Sequence, residues 1–233
     1  MTVRALRRGA IAASRVTSVP FSGLAITELV ENSTTSGLTT YTTGSITPTA
    51  DALVAVWVMS TGGNTPFFPS SIVGNGITYS MVQSVRDSST NYDLSLWTGS
   101  AASPSAGTVA INYSGGGKTG CCWHIHQWTA SVTPSVRQTK TNLNTSGTGQ
   151  QSASVTLDSA PQASSAVVGG FFKLGSGMTQ GTDFTGIFFG SYTSPTVAAL
   201  VEYDIGPVDG TADCTWTGDA VWLALAAEIG APL

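Results

Sequence analysis

An all-β fold, a two-sheet antiparallel β-sandwich of jelly-roll type, is what this sequence predicts, and three observations predict it. Short runs of alternating apolar and polar residues recur along most of the chain. Clusters of Gly, Asn, Asp and Ser punctuate them, among them Gly74-Asn75-Gly76, Gly115-Gly116-Gly117, Gly175-Ser176-Gly177 and Asp209-Gly210. Polarity comes from uncharged residues, because charged residues make up 9% of the chain against a usual ~25%. Hydrophobic content is 41%, enough apolar surface to offset the entropy of ordering a chain of this length.

Taken in order, residues 23–31 and 38–43 open the series of strands. Residues 51–60, DALVAVWVMS, are apolar on both faces, as expected of a central strand covered on both sides. In residues 77–86, Ile77, Tyr79 and Met81 alternate with Thr78, Ser80 and Ser84. Residues 92–98 and 108–114 alternate as clearly, with Val109, Ile111 and Tyr113 on one face, and residues 121–129 close the first half. The second half reads as strands over 153–157, 166–174, 183–189, 196–204, 212–217 and 220–229. The last could be helical by length, but its alternation favours a strand. The halves echo each other: GTVAINY (107–113) before a Trp-bearing strand is matched by GTADCTW (210–216) before residues 220–229. No linker divides them. The reading is a basic arm over residues 1–20 and a single sandwich domain over residues 21–233, its halves sharing one plan.

Charge is unevenly placed. Arg4, Arg7, Arg8 and Arg15 are four of the nine basic residues, while all thirteen acidic residues lie further along, so an arm of about +4 precedes a body of about −8. Arg4, Arg7 and Arg8 would share one face of a helix, which Gly9 weakens and Pro20 ends. These four arginines are the candidate partner-binding residues, since guanidinium groups pair bidentately with carboxylates. A net charge of −4 argues against a general nucleic-acid binder. No apolar run reaches the ~18 residues of a membrane-spanning helix. The apolar stretch after Arg8 is too short for a signal peptide, so no export signal is expected. Three cysteines do not describe a disulfide framework, although a bridge from Cys121 or Cys122 to Cys214 stays open.

Chemistry-bearing constellations are few. Cys122, His124 and His126 stand two residues apart on one strand face, followed by Trp128. Such donors suit zinc or copper, but no fourth ligand stands nearby in sequence. The expectation is therefore a structural strand, with no metal and no cofactor. Gly115-Gly116-Gly117-Lys118-Thr119 imitates the end of a phosphate-binding loop, but Asn112 stands where that motif needs Gly and a strand follows where it needs a helix. It reads as a hairpin loop. Glu202 and Asp204 share a strand face in the manner of glycosidase carboxylates, but the third acidic position is Pro207. They read as solvated carboxylates, or as partners of a neighbour's basic arm. Trp97, with Asp93 and Ser95, and Trp128, with His124 and His126, fall opposite the assumed core face. Trp97, His124, His126 and Trp128 thus form a candidate ligand or interface face, for stacking on sugars or on another subunit; burial between sheets is the alternative.

The stretches ADALVAVWVMS, GITYSMVQSV, LSLWTGSA, GTVAINYS and AVWLALAAEI resemble tailed-bacteriophage virion proteins with jelly-roll folds. The resemblance implies a non-enzymatic structural role, foremost as a capsid (head) decoration or cement protein, with a tail or head-spike component as an alternative. It brings no catalytic residues. It implies major capsid or other virion proteins as partners, a homo-oligomer for which a trimer fits, and a place on the virion surface after synthesis in the host cytoplasm. Nucleic acid and membrane are not expected as partners, while a host-surface glycan is kept open. A reading from another class is a secreted carbohydrate-binding module.

Overall fold

The computed structural model describes residues 22–62, 67–206 and 209–232. Within them the regular structure is all strand. The first half holds β1 (Ala25–Thr34), β2 (Thr40–Thr42), β3 (Leu53–Thr61), β4 (Ser71–Gly74), β5 (Ile77–Thr78), β6 (Ser80–Asp87), β7 (Tyr92–Gly99), β8 (Val109–Asn112) and β9 (Gly120–Thr129). The second half holds β10 (Ser135–Asn144), β11 (Ser152–Thr156), β12 (Ala166–Leu174), β13 (Thr179–Gln180), β14 (Thr185–Thr193), β15 (Thr196–Ile205), β16 (Thr211–Thr215) and β17 (Trp222–Gly230). Every pairing between them is antiparallel. Asn75 and Asn91 take positive φ at hairpin tips, where a short polar side chain tolerates the left-handed region.

Four sheets result, two more than the sandwich expected from sequence. The first half forms a large sheet in the order β1-β9-β3-β7-β6 and a small one in the order β2-β8-β4-β5. The second half forms a large sheet in the order β10-β17-β12-β15-β14 and a small one in the order β11-β16-β13. Strand alternation distributes the core among them. Leu53, Ala55, Trp57 and Met59 of β3 meet Ala166, Val168 and Phe172 of β12 in a core between the large sheets. On the opposite face of β3, Val54, Val56 and Val58 pack on Ile72, Val109 and Ile111 of the first small sheet. Val167 and Phe171 of β12 do the same with Val155, Ala212 and Cys214 of the second. The layers therefore run small, large, large, small. This explains why β3, β9, β12 and β17 are buried along almost their whole length: both faces of each are covered.

The halves are one plan built twice. Each position in the first large sheet has a counterpart of the same rank in the second, and the shared signature extends to residues. Pro48, Ala50 and Val54 before and within β3 recur at the same spacing as Pro161, Ala163 and Val167 around β12. The large sheets face each other in reversed order, with β1 against β14 and β6 against β10. That is the arrangement of a two-fold related pair. Trp57 and Gly170 hold the same place in β3 and β12. They touch each other: Gly170 lies so close beneath the Trp57 ring that a Cβ there would overlap it. The pseudo-two-fold axis thus passes through this contact.

The four outermost strands of the large sheets share a further feature. β1, β6, β10 and β14 each carry a register shift, at Glu28/Val30, Met81/Gln83, Val136/Gln138 and Gly186/Phe188 respectively. Bulges bend and twist an edge strand and break its ladder.

Candidate functional site

Arg4, Arg7, Arg8 and Arg15 lie outside the described residues. The four aromatic candidates do not form an exposed face. Trp97 is 7% exposed and Trp128 0%, as are His124 and His126. Trp97 turns towards the first small sheet, where its Nε1 donates to Ser95 Oγ at 3.2 Å. Trp128 turns the other way, into the core between the large sheets, and meets Tyr203 edge-on. The expected exposed stripe is corrected for a simple reason: with four layers, the face opposite one core is itself a second core.

His124, His126 and Trp128 do come together, at the seam between the halves. They follow one another on the inward face of β9. The His124 ring stacks on Phe188 of β14, with centroids 5.4 Å apart and planes 17° apart. His126 lies 5.1 Å from His124 by ring centroid and meets Trp128 edge-on. None of the four imidazole nitrogens has a hydrogen-bond partner among the described residues. Burial lowers the His124 pKa to about 3, and burial together with the neighbouring His124 lowers that of His126. Both rings are therefore neutral at physiological pH.

Two carboxylates join them from β1. Glu28 lies opposite His126 in register and Glu31 opposite His124. Residues three apart on a regular strand point to opposite faces. The bulge between Glu28 and Val30 absorbs one residue, so both carboxylates stand on the face of the histidines while Leu29 and Val30 pack on the other core. Glu31 Oε2 is 3.9 Å from His124 Nδ1, and the Glu31 side chain remains 45% exposed. Partial burial, then the negative charge of Glu28, raise the Glu31 pKa. Carboxylate oxygens of both residues and a nitrogen of His124 all lie within 4.8 Å of one another. Sequence spacing alone could not supply these ligands, because regular alternation separates Glu28 from Glu31.

Other buried charged groups are held by internal partners. Asp93 accepts from Lys118 Nζ at 3.2 Å and lies 3.4 Å from Arg86 Nε. Burial outweighs these cations and raises the Asp93 pKa to about 6. The predicted hairpin lysine is thus a fully buried one, also bonded to the Gly62 carbonyl. Glu228 accepts from Gln162 N–H, Ser165 Oγ and Gln138 Nε2, and Arg137 lies 3.5 Å away. Burial alone would raise its pKa, but these partners bring it below the usual value. Glu202, expected in solvent, is buried instead, because its face of β15 lies under the second small sheet. It accepts one bond from Gly181 N–H at 2.9 Å, and burial raises its pKa to about 7. Cys121, Cys122 and Cys214 are buried free thiols, which closes the question of a bridge.

Comparison with protein-family models, with curated proteins and with solved structures found no match to this chain. The functional reading therefore rests on the residues themselves.

Proposed function

We propose that this chain is a non-enzymatic structural protein of a virion, foremost a head decoration protein of a tailed phage, fastened to its particle by the body and the N-terminal arginines. The observation that carries the proposal is the division of charge, about +4 in the first fifteen residues against about −8 in the rest. Such an arm complements an acidic shell, or the acidic body of the next copy. Two features of the body are compatible with a particle-bound role. Charged residues are only 9% of the chain, and single apolar side chains such as Phe189 and Val73, each more than half exposed, stand on its surface as contact points. With Trp97 and Trp128 enclosed, stacking on sugars has no exposed ring among these residues to rest on.

Deletion of residues 1–15 tests the proposal. Particles assembled with the truncated chain should lack it, while circular dichroism of the purified truncated protein shows the same β-sheet spectrum as the full chain. Undiminished incorporation would remove the arm from the mechanism. Absence of the full-length chain from purified particles would remove the virion role itself.

A further inference from the structure

We propose that Glu28, Glu31 and His124 form a binding site for one divalent transition-metal ion of the zinc type, at the seam between the two halves.

Convergence of donors comes first. Two carboxylates and an imidazole place their ligand atoms within 4.8 Å of one another, and His124 Nδ1 faces Glu31 Oε2 across 3.9 Å. That gap is too long for a hydrogen bond. Ligands around a tetrahedral zinc, each ~2.0–2.1 Å from the ion, lie about 3.3 Å apart. Glu28 and Glu31 are exposed, so rotation of their side chains closes the remaining distance, whereas His124 is pinned in place by its stack on Phe188.

Second, His124 is fully buried, yet neither ring nitrogen has a hydrogen-bond partner among the described residues. Buried polar atoms are seldom left so, and an orphan of this kind calls for an explanation. A metal ion supplies it. The Glu28 and Glu31 carboxylates stand beside His124 within 4.8 Å of each other, and a divalent cation between two like charges turns repulsion into attraction.

Third, the second half shows what packing alone puts at these places. If β3 is laid on β12 through the Trp57–Gly170 pair, the β9 positions of His124 and His126 fall on Leu225 and Ala227 of β17. Their partners on β10 are Thr141 and Thr139, in the places of Glu31 and Glu28. The equivalent seam position is thus apolar and uncharged. The polar constellation occurs in one half only; β10 carries a bulge of its own between Val136 and Gln138, two rungs from the equivalent place, and brings no carboxylate there, so the constellation is an addition to the fold rather than a requirement of it.

Donor chemistry selects the ion. Calcium and magnesium take oxygen ligands, whereas an imidazole with carboxylates suits zinc and its neighbours in the first transition row. Glu28 and Glu31 stand at the solvent side, which leaves room for water to complete the coordination. His126 stands one rung away, opposite Glu28.

The experiment uses the full-length chain without a histidine tag, stripped with chelator and titrated with zinc chloride by calorimetry. Magnesium and calcium chloride serve as comparators. The expected result is one zinc ion per chain, no heat from magnesium or calcium, and affinity at least tenfold weaker in both Glu28→Gln and Glu31→Gln. These two side chains are exposed, so the variants fold even where a His124 variant does not. The chain has only two histidines, so their ring-nitrogen resonances give a second readout: zinc should shift His124, and should not do so in Glu31→Gln. Absence of zinc binding, or binding undiminished in both variants, would overturn the proposal.

Discussion

Replacing Gly170 with alanine is a direct test of the four-layer arrangement, because this residue touches the other half at the pseudo-symmetry axis. A Cβ at position 170 would overlap the six-membered part of the Trp57 indole, and Trp57 is fully buried with no room to retreat. Overpacking of this kind costs typically 1–3 kcal/mol. Alanine also relieves the entropic cost of glycine in a strand, worth roughly 0.5–1 kcal/mol in the opposite direction. The expected net loss is about 1–2 kcal/mol, or a fall in Tm of roughly 2–8 °C for a chain of this size. Urea unfolding followed by far-ultraviolet circular dichroism measures it. The decisive arm is a double-mutant cycle with Trp57→Phe, which removes the atoms that the new methyl would strike. In that background Gly170→Ala should be close to neutral, giving a coupling of about 1–2 kcal/mol. Additivity of the two substitutions to within ~0.5 kcal/mol would show that these residues do not meet, and the stacking of the large sheets would have to be redrawn.

Two further outcomes follow from the buried charges. Asp93→Ala leaves Lys118 buried without its carboxylate and should cost about 3–5 kcal/mol at pH 8 in denaturant unfolding; a loss under ~1 kcal/mol would mean that the pair is worth no more than a surface one. Glu202→Gln should alter the pH dependence of stability in a stated direction. With its folded pKa near 7, above the ordinary 4.5, Glu202 favours the folded state when protonated, and that contribution is lost as pH rises from about 4.5 through 7. The glutamine variant lacks this titration, so relative to the wild type it should gain on the order of 2–3 kcal/mol between pH 5 and pH 8. A wild-type-minus-variant difference that does not change with pH would contradict the burial argument.

Strand identity was legible wherever side-chain alternation was tied to burial, as in Val109–Ile111 and the apolar run of β3; the single strand expected over 77–86 instead divides at Tyr79 into β5 and β6, which belong to different sheets. β10 was not legible. Its sequence SVRQTKTNLN is polar because it is an outer strand, and the ladder to β17 rather than its own composition holds it extended. The apolar character of both faces of β3 showed that both sides were covered. It could not show that the cover on one side was the other half of the same chain, so two layers were expected where four exist. The same gap misplaced Trp97 and Trp128, which were set against an assumed solvent face. For the candidate site, His124 and His126 were readable from spacing, but their carboxylate neighbours were not. Glu28 and Glu31 share a face only because of a bulge, and no residue in that segment is a strong bulge signal of the kind that a glycine provides.

The bulges on β1, β6, β10 and β14 also bear on how such a chain behaves when many copies are crowded together. A straight outer strand offers unpaired amides and carbonyls to any similar strand that drifts past, and one successful encounter leads to the next until a fibre grows. Here all four outer borders of the large sheets are bent out of that geometry, so backbone-to-backbone polymerisation has no flat template on them. Association between copies is left to side chains, whose fit depends on identity and orientation. Contacts of that sort can be finite, reversible and geometrically closed, and the molecule can be stored at high density without losing its individuality.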